Sequence, residues 1–179
     1  MWSFAGSLQP EPAASRPDLL AAPVAAAVGG LASAGVAAID ADLADTAAFC
    51  AHYGVSLDDS ANCVVVKGKR GGDVRFAACM ILATTRADVN GIVRKRLDVR
   101  SASFAPMDEA VALTGMEYGG ITPIGLPADW PILVDAAVAA SPGVVVGAGI
   151  RGAKLFLPGA VLAALPGAEV IEGLGRALD

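Results

Sequence analysis

The chain has 179 residues, of which 55% are hydrophobic and 17% charged, and this balance excludes a disordered chain and fits one domain with a single core. A net charge of −5 excludes a general attraction to nucleic acid, so any such contact needs a local basic patch. Three cysteines without a C-x-x-C spacing and one histidine predict neither a disulfide framework nor a metal site.

The N-terminal residues carry Pro10, Pro12 and Pro17 and lack the basic start and apolar centre of a secretory signal. We therefore predict a loose leader at 1–18, followed by a single domain at 19–179. The alanine-rich stretch at 21–38 is interrupted by prolines and glycines, which argues against a membrane helix. These features together predict a cytoplasmic protein without a membrane partner.

The first half of the chain predicts two helices, a short strand and a β-hairpin. Apolar residues at helical spacing predict the first helix, and Asp45 can cap the second, which Gly54 ends. β-branched residues on both sides of Gly71 and Gly72 predict the hairpin. In chain order, we expect a helix at 20–31, a strand at 36–39, a helix at 46–53, and strands at 62–67 and 74–83.

The second half predicts short helices and strands that alternate irregularly. Thr85 can cap one helix, Pro106 suits the first turn of the next, which Gly115 ends, and Pro158 opens the last. We expect helices at 87–96, at 106–115 and after 158, with strands at 99–103, 132–134, 144–146, 154–157 and 168–171. This irregular order predicts a single α/β or α+β domain, in which short helices surround a mixed β-sheet.

The segment at 116–127 matches no ordinary element, because Gly119, Gly120, Pro123, Gly125 and Pro127 follow one another closely. Glycines leave backbone N–H groups unshielded, so such a loop can direct amides at a carbonyl or phosphate oxygen. A tight connection between a helix and a strand is the alternative, and spacing alone favours it. The usual nucleophile and phosphate-loop motifs are missing from the sequence.

The run Y-G-G-I-T-P-I-G-L at 118–126 resembles the G-G-V-S-P-F-G-L signature of bacterial aminoacyl-tRNA deacylases. That family includes free-standing Cys-tRNA(Pro) and Ala-tRNA(Pro) deacylases and the editing domain of prolyl-tRNA synthetase. The resemblance covers about residues 45–172 and includes M-D-E-A-V at 107–111, I-L-V-D at 132–135 and V-V-V-G-A-G at 144–149. It implies a mixed sheet with a cleft that takes the 3′-terminal adenosine of tRNA and its amino acid.

The resemblance also implies a reaction, which is hydrolysis of a mischarged aminoacyl ester in trans, without a metal or an organic cofactor. Backbone amides of the loop would hold the substrate carbonyl, and a water or a substrate hydroxyl or thiol would assist. The catalytic residues it implies are Asn62, Gly119, Gly120, Thr122 and Pro123. We further predict that Asp135, Gly147, Gly149 and Arg151 bind the substrate.

Asn62 stands where many members of that family carry a lysine. An amide donates hydrogen bonds but brings no positive charge to a phosphate or a developing oxyanion. Lys67 lies an odd number of positions along the strand and is predicted to face the other side. An active hydrolase and a binding module of the same fold with little or no turnover are therefore both open. A scaffold that docks onto a synthetase or another translation factor is a third possibility.

The local basic patch consists of Arg94, Lys95, Arg96 and Arg100. We predict that it binds tRNA, with a solvated helix end as the alternative. The expected partner is the acceptor end of an aminoacyl-tRNA, and an aminoacyl-tRNA synthetase is a second candidate partner.

Overall fold

The computed structural model describes residues 2–178 as two packed β-sheets and a short two-stranded ribbon, with short helices around them. The helices in this range are α1 (Ala22–Val28), α2 (Thr46–Tyr53), α3 (Arg94–Arg96), α4 (Met107–Thr114), α5 (Ala136–Ala139) and α6 (Gly159–Ala163). The strands are β1 (Glu11–Pro12), β2 (Gly35–Ala38), β3 (Ala61–Arg70), β4 (Asp73–Leu82), β5 (Thr85–Ala87), β6 (Ser101–Phe104), β7 (Ile132–Asp135), β8 (Val144–Gly147), β9 (Ala153–Leu157), β10 (Ala168–Ile171) and β11 (Gly175–Ala177). The ribbon pairs β5 with β11.

The larger sheet has the strand order β10-β7-β4-β3-β6. β3 pairs antiparallel with both β4 and β6, whereas β7 pairs parallel with β4 and β10. The sheet is therefore mixed, which confirms the fold class predicted from the sequence. The hairpin strands are longer than predicted because Gly71 and Gly72 alone form the turn, and Gly71 adopts a φ of 60° that suits glycine.

The smaller sheet is antiparallel and has the order β1-β2-β9-β8. It meets the larger sheet through a parallel bridge between Ser60, just before β3, and Val145 in β8. This bridge places the start of β3 beside β8. Because β8 and β9 are antiparallel neighbours, the end of β8 and the start of β9 lie at the same edge.

The main core lies between the two sheets and beneath α1. Its buried side chains include Val24 and Val28 of α1, Met80 of β4, Val134 of β7 and Leu155 of β9. Because both sheets contribute to this one cluster, the described residues fold as one domain.

The N-terminal residues, predicted to be loose, pack onto the domain. β1 pairs with β2, and both Ala5 and Ala13 are only 1% exposed. The ring of Phe4 contacts that of Phe156, with 6.1 Å between centroids. The structure therefore does not show a loose leader over residues 2–18, because apolar side chains there find partners on the smaller sheet. The domain boundary after residue 18 stays a prediction.

The third predicted helix begins later than the sequence suggested. Thr85 lies in β5, and the side chain of Asp88 accepts hydrogen bonds from the N–H groups of Gly91 and Ile92. Asp88 is therefore the cap, and a π-helical turn at Val89–Val93 leads into α3. Within residues 2–178, no helix is long and apolar enough to cross a membrane.

Candidate active site

A cleft of about 330 Å³ opens where the start of β3 meets the end of β8 and the start of β9. Separate parts of the chain contribute to its lining, which includes Thr46, Asn62, Cys63, Gly119, Gly147 and Lys154. The structure thus brings together Asn62, Gly119 and Gly147 of the predicted site residues.

Asn62 is held in the cleft by a side-chain partner. The Thr46 hydroxyl at the first turn of α2 donates to Asn62 Oδ1 over 2.7 Å. This contact occupies the amide oxygen and leaves the NH2 group of Asn62 without a partner among residues 2–178. Two donors therefore remain for a ligand.

The first half of the glycine–proline loop lies against the hairpin of β8 and β9. Gly149 donates to the carbonyl of Gly120 over 2.7 Å, and Glu117 donates to the carbonyl of Gly149 over 2.8 Å. A Cβ on Gly147 would lie 2.5 Å from the Gly120 carbonyl oxygen. Glycine is therefore needed for this close approach of two backbones. Gly120 and Gly149 fix the loop, whereas Gly119 and Gly147 line the cleft.

Backbone donors are available in this part of the loop. Neither the N–H of Gly119 nor that of Ile121 has a hydrogen-bond partner in the described part of the chain, and both residues line the cleft. Gly119 has a φ of 86°, a left-handed conformation that glycine adopts readily. Unpaired backbone donors beside a cleft are the groups that can hold a carbonyl or oxyanion.

The second half of the loop lies away from the cleft. Pro123 lines a second, largely apolar cavity of about 400 Å³, together with Leu31, Trp130 and Leu165. Thr122 is fully buried, and its hydroxyl has no hydrogen-bond partner among the described residues. The structure therefore separates Thr122 and Pro123 from the other predicted catalytic residues, and the loop divides two cavities.

Arg151 lies at the rim of the cleft and connects the loop to the segment before α2. Its guanidinium donates to the carbonyls of Tyr118 and Ala41 over 3.3 and 3.2 Å, and lies 4.0 Å from a carboxylate oxygen of Asp45. Its backbone N–H donates to the Glu117 carboxylate over 2.8 Å. These bonds hold the rim together and leave a cation beside the entrance.

Asp135 lies elsewhere, at the end of β7 and the start of α5. Its carboxylate is buried, and this burial raises its pKa, although the backbone N–H groups of Gly175, Ala136 and Ala137 act in the opposite direction. The structure does not place it among the residues that line the cleft.

Lys154 is the residue of the cleft that sequence reasoning missed. It is 8% exposed, and its ammonium donates to the carbonyl of Ala44 over 2.9 Å. The same nitrogen lies 5.3 Å from the centroid of the Phe49 ring. Burial lowers the pKa of Lys154. A lysine inside a run of apolar strand residues is the one signal in the sequence that distinguishes it.

Lys67 faces away from the cleft, as its position along the strand predicts. Its ammonium bonds both carboxylate oxygens of Glu109 over 2.9 and 2.8 Å and lies 6.0 Å from the Phe76 ring centroid. It therefore does not replace the lysine that the family carries at the position of Asn62.

The basic patch sits at the far end of the larger sheet. Arg96 pairs with Glu169, and Arg94 donates to the carbonyl of Asn90. The N–H of Arg100 donates to the carbonyl of Lys69 on β3. Since Lys69 is seven residues after Asn62, the patch lies roughly 23 Å along the strand from the cleft at about 3.3 Å per residue.

A protein-family comparison matches residues 40–165 to the aminoacyl-tRNA editing domain. The match covers more than half of the chain and includes every cleft residue discussed above. The chain belongs to the aminoacyl-tRNA editing domain family, as the resemblance of its glycine–proline loop predicts. Its function is aminoacyl-tRNA editing.

Solved structures share this fold. A candidate trans-editing enzyme for prolyl-tRNA synthetase and a scaffold protein used for computational grafting of linear epitopes each match with a TM-score of 0.74 and 22% identity, covering 88% of this chain and 97% of their own. A hypothetical protein matches with a TM-score of 0.65 and 24% identity, covering 74% of this chain and 85% of its own. Curated protein sequences gave no significant match.

Proposed function

We propose that the cleft binds the aminoacylated 3′ end of tRNA and that the chain hydrolyses the ester in trans. The observation that carries this proposal is one cleft, inside the editing-domain match, that is lined by residues of β3, the glycine loop and the β8–β9 hairpin. In the reaction a water oxygen attacks the ester carbonyl carbon. The bond from that carbon to the ribose oxygen breaks, and the ribose oxygen takes a proton.

The chain's own groups suit this reaction because an ester needs little further activation. We assign the holding of the carbonyl oxygen to the N–H groups of Gly119 and Ile121 and the NH2 of Asn62, because these donors have no partner among residues 2–178 and their residues line the cleft. Such positioning contributes by fixing the carbonyl for attack and by stabilising its developing negative charge. A nucleophilic side chain is not required by this scheme.

A deacylation assay on a panel of mischarged tRNAs tests the proposal. We expect catalysed release of at least one noncognate amino acid, at a rate above that of uncatalysed ester hydrolysis. Tight binding that protects every ester from hydrolysis would instead support the binding-module alternative.

The thiol of Cys63 lines the cleft but is not expected to act as the nucleophile. Burial raises its pKa far above the usual thiol value, and burial raises that of Cys79 to about 12. Both thiols are therefore protonated at neutral pH, and the thiolate is the reactive form. We expect Cys63→Ser to leave the deacylation rate little changed, measured beside the thermal midpoint. Loss of nearly all turnover at an unchanged midpoint would contradict this scheme.

The basic patch is proposed to hold the tRNA backbone. Lys95 and Arg100 are exposed, and neither forms an ion pair within residues 2–178. Lys95→Gln/Arg100→Gln should weaken tRNA binding and reduce the salt dependence, by about 0.7 to 0.9 units of logarithmic slope per lost phosphate contact. Arg16→Gln, which removes a charge near the N-terminus and outside the patch, is the control. An unchanged salt slope in the double variant would leave the patch as a solvated surface.

The proposal also extends to location and partner. Editing in trans acts on charged tRNA before translation, so we place the protein in the cytoplasm. The similar structure named for prolyl-tRNA synthetase makes that synthetase the first partner to test. A binding measurement between the two purified proteins, with and without tRNA, checks this.

A further inference from the structure

Lys154 brings a positive charge to the cleft from β9. A lysine at position 62, as in many members of the family, would bring it from β3. Lys154 lies on β9 and pairs in register with Gly147 of β8. Both residues line the same cleft as Asn62, which is on β3. Gly147 has no side chain, and the carbonyls of Gly120 and Ile121 approach it closely, so backbone atoms rather than a side chain lie beside Lys154 on this strand.

Lys154 has no counter-charge of its own. Its ammonium makes one hydrogen bond, to the Ala44 carbonyl, and no carboxylate lies within ion-pair distance in the range 2–178. The carboxylate of Asp45 lies beside Arg151, and it raises the pKa of Lys154 by less than the Arg151 cation lowers it. An ammonium has three donors, so two remain. Burying a charge without a partner is unfavourable, and packing alone therefore does not account for a lysine here.

We propose that Lys154 supplies the cation of this site, donating to the ester carbonyl oxygen of the bound aminoacyl-tRNA. This inference rests on the proposed hydrolytic function. A single lysine at position 62 would supply both a hydrogen bond and a positive charge. Here Asn62 on β3 donates a neutral hydrogen bond, and Lys154 on β9 supplies the charge. The burial of Lys154 favours the carbonyl over a tRNA phosphate, since a charged phosphate costs more to remove from water than a neutral ester.

The first test compares Lys154→Met, which removes the charge at similar length, with Lys154→Arg, which keeps it. Methionine should lower kcat by about a hundredfold, as expected for one lost oxyanion donor, with little change in KM. Its thermal midpoint should stay the same or rise, because an unpaired buried charge has been replaced by an apolar group. A purely structural lysine would give the opposite result, a lower midpoint with kcat preserved.

The second test moves the charge between strands. Asn62→Lys in the Lys154→Met background should restore part of the lost kcat, because it returns a cation to the same cleft from β3. Thr46→Val, which removes the hydroxyl that holds Asn62 but no charge, is the matched background control and should not restore it.

The pH profile gives a third reading. The protonated lysine is the active form, so wild-type turnover, corrected for uncatalysed hydrolysis, should fall as pH rises through the lowered pKa of Lys154. Lys154→Arg should lack this fall because arginine stays charged.

Unchanged kcat in Lys154→Met beside an active wild type would overturn the inference and leave the proposed function standing. A loss confined to KM would assign the contact to a phosphate and overturn the carbonyl contact. A wild-type chain that hydrolyses none of the mischarged tRNAs would overturn the proposed function itself, and this inference with it.

Discussion

Gly147→Ala is expected to lower kcat/KM for ester hydrolysis by about ten- to a hundredfold, since displacements near 1 Å in an active site have effects of that size. An added Cβ would lie 2.5 Å from the carbonyl oxygen of Gly120 and 2.8 Å from that of Ile121. These are backbone atoms, so the loop itself must shift, taking the N–H groups of Gly119 and Ile121 with it. Steady-state deacylation and the thermal midpoint should be measured together.

Gly152→Ala is the matched control for that substitution. It lies in the connection between β8 and β9, and a Cβ there would meet no atom within 4 Å. We expect wild-type activity and stability from it. If Gly147→Ala also retained full activity, the position of the loop would not control the reaction.

Deleting residues 1–18 is expected to lower the stability of the domain by roughly 2–4 kcal/mol, estimated from the partial burial of two aromatic side chains. Trp2 and Phe4 pack against the smaller sheet, where Val145 and Phe156 are buried. For a chain of this size the thermal midpoint should fall on the order of 10 °C. Thermal unfolding of the shortened chain, with an initiating methionine, checks the result.

Point variants separate side-chain packing from chain length in that experiment. Phe4→Ala should reproduce part of the loss, because its ring contacts Phe156. Gln9→Ala, at an exposed position of the same segment, should have no effect. A shortened chain as stable as the full one would support the loose leader predicted from the sequence.

The central elements of the fold could be predicted because their signals are local. The β-branched run on each side of Gly71 and Gly72 specifies a hairpin, and the glycine after α2 or α4 specifies where each helix ends. Gly54 and Gly115 have φ values of 72° and 68°, conformations that few other residues adopt readily.

The short elements could not be predicted because they depend on distant partners. β1, β5 and β11 have two or three residues each, and they exist only through pairing with strands elsewhere in the chain. The terminal segment depends on distant partners in the same way. Its prolines suggested a free chain, whereas its aromatic side chains find a surface that only the folded sheet creates.

The candidate site was predictable where a family signature marks a backbone conformation, as at Gly119 and Gly147. It was not predictable at Lys154, because only the register of β8 and β9 places that residue opposite Gly147. Thr122 differs from these positions, and its predicted catalytic role stays a prediction. It lies inside the signature, yet its side chain points into the protein interior.

The wide separation of the cleft residues along the chain has a kinetic consequence. Thr46, Asn62, Gly119, Gly147 and Lys154 meet only after the parallel bridge between Ser60 and Val145 has joined the two sheets. Contacts between such distant residues form late in folding because closing long loops is entropically costly. During synthesis, the growing chain therefore gains its cleft only after β9 has emerged, so a translation product that ends before β9 lacks the site.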